Sequence, residues 1–81
     1  MNNMTMNKEK ILAILKSLKE RYNITSEQWA TLLGVSLDTY KNALYKKTLS
    51  GDNMFLIVAK LDALVQAGVV EFTKEELEVL R

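Results

Sequence analysis

Apolar residues recur at three- and four-residue intervals along most of the chain, the mark of helices that each bury one stripe. Ile11, Ile14, Leu15, Leu18 and Tyr22 draw the first stripe and predict a helix over residues 8–22, with Asn7 as its N-cap. A second start signal follows at once. Thr25 and Gln28 stand at capping-box spacing, and Ile24 and Trp29 at the spacing of a hydrophobic staple. A helix therefore begins at Ser26, and the staple makes Trp29 a core residue rather than a stacking platform. This helix runs only to Leu33, because Gly34 holds the position of a left-handed C-cap and Val35 is placed to fold back on the last turn.

Ser36 offers the next N-cap, and Leu37, Tyr40, Ala43 and Leu44 keep helical spacing toward Lys47. Residues 48–53 are polar and contain Gly51, which predicts a loop. Met54, Ile57, Val58, Leu61, Leu64 and Val65 then trace a wide stripe on the longest helix, which Gly68 ends. Val69, Val70, Glu71 and Phe72 form a β-prone run with room for one short strand. After it, Thr73 with Glu76 and Phe72 with Leu77 repeat the box and the staple and open a short helix reaching Leu80. The fold class is all-α, a compact domain of four to five helices with allowance for a short C-terminal strand. Residues 1–7, with Met1, Met4 and Met6, read as a loose N-terminus, and residues 8–81 as one domain.

A chain of 81 residues has length for one core only. It contains no Cys and no His, which removes thiolate and imidazole ligands, a Cys or His nucleophile or base, and any disulfide. What remains for catalysis is carboxylates such as Glu75 and Glu76 or a bare Ser, with neither base nor metal at hand. The chain is thus expected not to be an enzyme, and no metal, cofactor or small-molecule ligand is expected. No apolar run approaches the roughly 20 residues of a membrane span, and residues 1–10 hold no apolar leader core, so no membrane partner and a cytoplasmic location are expected.

The net charge of +1 hides an asymmetry. Residues 1–49 carry eight basic and four acidic groups, whereas residues 50–81 carry three basic and six acidic. A polyanion binder with one working face has this layout. Chance clustering gives it as well.

Two short helices joined by a Gly-containing turn, inside a small helical domain, describe a helix-turn-helix over residues 26–46. Gln28, Ala30, Leu33, Gly34, Val35, Ser36 and Tyr40 in the run SEQWATLLGVSLDTYKNALYKK resemble the motif of Cro, the phage repressors and related bacterial regulators, the lambda-repressor-like family. That family usually reads A-x-x-x-G-V-S-x-x-x-I/V. Here Ala30 is the small residue four before Gly34, Val35 and Ser36 follow, and Tyr40 stands where the family has a smaller Ile or Val. A leading amphipathic helix and a long fourth helix extend the likeness over residues 8–80. Leu37 and Asp38 depart from it, since the family often has polar or basic residues there.

The resemblance implies a sequence-specific regulator of double-stranded DNA, a repressor of phage or mobile-element type, with its third helix in the major groove. Opposite Leu37, Tyr40 and Leu44, that helix presents Asp38, Lys41, Asn42 and Tyr45 as base-contacting candidates. Asn42 suits adenine, Lys41 guanine or a phosphate, and Asp38 the cytosine amino group. Ser26, Gln28, Ser36, Thr39, Lys46, Lys47 and Thr48 are the phosphate-contacting candidates. Plainer readings stand beside these: Asp38 complements the helix dipole, and Lys41, Asn42 and Tyr45 form a solvated face. A protein-binding use of the same fold, as an antagonist, anti-repressor or antitoxin-like module, is the alternative, favoured by the small net charge.

A protomer of this size covers one half-site, which implies a homodimer on an operator. Its expected interface is segment 69–81 with Val69, Val70, Phe72, Leu77 and Leu80; the plainer reading has Phe72 and Leu77 covering the chain's own core.

Overall fold

The computed structural model describes residues 8–80, so the Asn7 cap, the loose N-terminus and Arg81 lie outside the described residues. Among the described residues five α-helices follow one another: α1 (Lys8–Arg21), α2 (Ser26–Leu33), α3 (Leu37–Lys41), α4 (Gly51–Gln66) and α5 (Lys74–Leu80). A π-helical turn over Asn42–Lys46 continues α3 without a break. There is no strand among the described residues.

One core unites these elements. Ile11, Leu15 and Leu18 of α1, Trp29 and Leu33 of α2, Tyr40 of α3, and Ile57 and Leu61 of α4 are all but fully buried in it. Those on α1, α3 and α4 belong to the stripes read from their helices, Trp29 is placed in the core by its staple with Ile24, and Leu33 is read from the sequence only as the end of α2. Trp29 meets Tyr22 edge-to-face at 6.2 Å between ring centres, which closes the joint between α1 and α2.

The capping box at the start of α2 exists as two reciprocal hydrogen bonds. Thr25 Oγ1 accepts from the Gln28 amide at 3.1 Å, and Gln28 Oε1 accepts from the Thr25 amide at 2.9 Å. Thr73 and Glu76 make the same reciprocal pair ahead of α5, at 3.2 and 2.8 Å.

Three expectations need correction. The loop expected over residues 48–53 is shorter, since Ser50 Oγ accepts from the Asn53 amide at 3.1 Å and α4 begins at Gly51. Gly51 and Asp52 at its start are exposed and Asn53 is polar, so the apolar stripe begins only at Met54. The helix expected to run regularly to Lys47 widens into the π turn and stops where Lys47 adopts φ 57°. The β-prone run 69–72 forms no strand. Gly68 takes φ 78°, its amide donates to the Val65 carbonyl at 3.1 Å and that of Val69 to the Leu64 carbonyl at 2.9 Å, a Schellman ending that turns the chain back onto α1.

The returning segment is tied down by its own chain. Tyr22 Oη accepts from the Glu71 amide at 2.8 Å, Arg21 donates to the Glu71 carbonyl at 2.7 Å, and the Arg21 guanidinium pairs with Glu76 at 2.7 Å. The residues expected at an interface divide by burial. Val70, only 4% exposed, belongs to the core, and Phe72 and Leu80 pack half-buried against it; Leu77 is half-buried and Val69 is 52% exposed.

Candidate nucleic-acid interface

The joint between α2 and α3 is built from two caps with almost nothing between them. Gly34 takes φ 73°, its amide donates to the Thr31 carbonyl at 3.2 Å, and the Val35 amide donates to the Ala30 carbonyl at 3.0 Å. That closes α2 with a reversal only a residue tolerant of positive φ makes without strain. Ser36 follows immediately in extended geometry, and its Oγ accepts from the Thr39 amide at 3.1 Å to open α3. The small Ala30 is buried against neighbouring helices, and Tyr40 is 1% exposed, so the buried side of α3 is settled by packing.

What α3, the π turn and the two residues beyond it leave outside carries three lysines and one carboxylate. Asp38 and Lys41 are exposed, Tyr45 is 64% exposed, and Lys46, Lys47 and Thr48 carry the exposed surface past the end of the turn. Asn42 is half-buried at the junction of α3 with the π turn, so it sits at the edge of this face rather than on its crest. Four candidates expected to read bases thus lie on consecutive turns of one continuous helical rod.

The phosphate candidates divide by how far their donors are already engaged. The Ser36 hydroxyl gives its proton to Thr39 Oγ1 at 2.9 Å while accepting from the Thr39 amide, so it serves as the cap read from the sequence. Thr39 keeps its own hydroxyl proton. Gln28 uses its carbonyl oxygen in the capping box and retains its amide hydrogens. Ser26 is half-buried at the start of α2. Thr48 Oγ1 lies 3.4 Å from the Asn42 carbonyl, a long bond that leaves the hydroxyl easily diverted.

Ser50 and Asn53 escaped the sequence reading. With Thr39, Asn42 and Thr48 they line a hollow of about 190 Å³ between α3 and the start of α4, giving polar side chains on both walls. The signal was present, because Ser50 three residues before Asn53 is N-cap spacing, but the apolar stripe that draws attention to a helix starts only at Met54.

The Tyr40 hydroxyl is buried with no hydrogen-bond partner, as is the Trp29 indole nitrogen. Burial, with a smaller contribution from the charge of nearby Tyr45, pushes the Tyr40 phenol up to about 12, so it remains neutral and structural. Among the described residues no group of three or more acidic side chains is arranged to hold a metal ion, and no helix is long and apolar enough to cross a membrane.

Comparison with known proteins adds no relative: no family model, no curated protein and no solved structure matches this chain.

Proposed function

We propose that this protein is a sequence-specific double-stranded DNA-binding regulator. It uses α2, the Gly34 turn and α3 with its π turn as a helix-turn-helix, and it acts as a homodimer. The observation that carries the reading is the pairing of the two-cap joint at Gly34 and Ser36 with an outward rod bearing Asp38, Lys41, Tyr45, Lys46 and Lys47. A rod of this width fits the major groove of B-DNA, which admits one α-helix and presents a distinct pattern of donors and acceptors for each base pair. Lys46 and Lys47, at its far end, suit the phosphate backbone, where a flexible ammonium acts as a point charge.

One observation favours a second reading, in which the fold binds a protein. Phe55 is 66% exposed and Leu56 54% exposed on α4, large apolar groups that the chain's own core leaves uncovered.

Selection of bound sequences from a random duplex pool, followed by titration of the selected site at several salt concentrations, tests the proposal. A DNA reader enriches one motif and loses affinity steeply with salt in proportion to its phosphate contacts. No enrichment, together with duplex binding that ignores salt, overturns it in favour of the protein-binding reading.

A further inference from the structure

Lys8, Leu12 and Lys16 stand four residues apart and therefore lie in one line along α1. Opposite that line, the π turn and its left-handed end bring in Leu44 and Lys47. Between the two walls lies a cleft of about 560 Å³, within the range of pockets that hold small organic ligands. Its lining combines the apolar Leu12, Ala13 and Leu44 with three lysines and the single carboxylate of Glu9. The side chains of Lys8, Lys16 and Lys47 make no hydrogen bond or ion pair to a described residue, so the lining keeps an unbalanced positive charge beside its apolar residues.

We propose that this cleft binds a small amphipathic organic anion, its anionic head among Lys8, Lys16 and Lys47 and its hydrocarbon body on Leu12, Ala13 and Leu44. The combination selects that chemistry. An inorganic anion or a duplex phosphate would use the lysines and leave the apolar residues wet, and a neutral apolar molecule would use the apolar residues and leave three cations unanswered. The site was hidden from the sequence because Lys47 joins the α1 pair only through the fold. Lys47 is also a phosphate candidate of the proposed DNA face, so the ligand would compete with duplex; that consequence rests on the proposed function, whereas the site itself does not.

Calorimetric titration of the DNA-free protein with decanoate, with inorganic phosphate as head alone and with decanol as body alone, tests the site. Decanoate is expected to bind one to one, and phosphate and decanol at least roughly tenfold more weakly, since each lacks one of the two contributions. Lys16→Ala and Lys47→Ala should each weaken decanoate roughly threefold or more. Ala13→Glu, at an exposed position of α1 that also borders Glu75 and Glu76 of α5, should abolish binding in a protein whose thermal unfolding shows that it still folds. Lys74→Ala, on α5, serves as the control that leaves affinity as it was. Inorganic phosphate binding as tightly as decanoate overturns the proposal, as does decanoate affinity that ignores Ala13→Glu and the two lysine substitutions. Binding by octyl or decyl phosphate in place of decanoate would assign the head as phosphate rather than carboxylate within the same site.

Discussion

Arg21 and Glu76 meet at 2.7 Å across 55 residues of sequence, and their pairing holds α5 against the end of α1. The same guanidinium donates to the Ser17 hydroxyl at 2.9 Å and to the Glu71 carbonyl at 2.7 Å, so one side chain gathers three parts of the chain. Burial pushes the Glu76 carboxyl up. The hydrogen bonds from Arg21 and Thr73, with the charge of Arg21, outweigh it and hold the group below the usual carboxylate range. A carboxyl lowered in the folded state contributes stability that is present above its unfolded value and lost as pH falls through the folded one. Melting temperature is therefore expected to drop as pH falls below about 4, and Glu76→Gln should flatten that drop while costing up to about 1 kcal/mol at neutral pH. An acid limb that is unchanged in Glu76→Gln would refute this assignment.

Tyr40 gives the opposite slope at the alkaline end. Its phenol is raised to about 12 in the folded protein, so the stability it contributes is complete below the ordinary tyrosine value near 10 and is lost as pH rises from there toward about 12. Because its hydroxyl has no partner, Tyr40→Phe removes a desolvated polar group and keeps the ring. The variant should be as stable as the parent or more so by about 1 kcal/mol, and its alkaline melting curve should be flatter. A clear loss of stability in Tyr40→Phe would mean that the hydroxyl has a partner after all.

At Gly34 the constraint is the backbone rather than the space. A Cβ there would meet the Lys60 Cε at 3.4 Å, an ordinary contact, but φ 73° is a conformation that branched residues avoid. Gly34→Val is expected to lower stability by at least about 1 kcal/mol in chemical denaturation, and Gly34→Asn, which tolerates this region better, by less. Equal stability in all three proteins would remove the left-handed turn and, with it, the relation of α2 to α3.

Much of this architecture was legible because the chain marks helix ends with local chemistry. Thr25 with Gln28, Gly34, Ser36 and Thr73 with Glu76 act within a few residues of themselves, so their roles follow from spacing alone. The parts that were not legible depend on tertiary context. The π turn over Asn42–Lys46 and the positive φ of Lys47 have no sequence signal, since a lysine there would otherwise continue a helix. Val70 and Phe72 looked like surplus apolar area only because the fold that covers them, drawn back by Arg21 and Tyr22, is set from 50 residues away.

On the proposed DNA face, exposure separates readers from positioners. Lys41 is exposed and makes no contribution to the core, so Lys41→Ala should weaken the selected site by about 1 to 3 kcal/mol and relax the base preference it reads, with the helical circular dichroism unchanged. Asn42→Ala should do the same at its own base pair. Lys46→Ala and Lys47→Ala should instead weaken all duplexes alike, and each should reduce the salt dependence by roughly one unit if its ammonium neutralises one phosphate. Selected-site affinities equal to the parent in both Lys41→Ala and Asn42→Ala would take α3 out of the groove.

Dimerisation through the C-terminal segment now has a sharper probe than its composition suggested. Phe72→Asp introduces a charge beside the chain's own core and should unfold the protomer, so failure of that variant to dimerise says nothing about an interface. Val69 is different: it is 52% exposed, its amide bond to the Leu64 carbonyl is made by the backbone, and an aspartate there leaves the Schellman ending intact. If two copies pair through segment 69–81, Val69→Asp should keep the parent melting temperature at low concentration, sediment as a monomer where the parent is a dimer, and bind the operator more weakly while retaining salt-dependent single-site binding. Leu77→Asp, half-buried on α5, should follow it with a modest loss of stability. A Val69→Asp protein that remains a folded dimer moves the interface elsewhere, and the exposed pair Phe55 and Leu56 on α4 is then the place to substitute next.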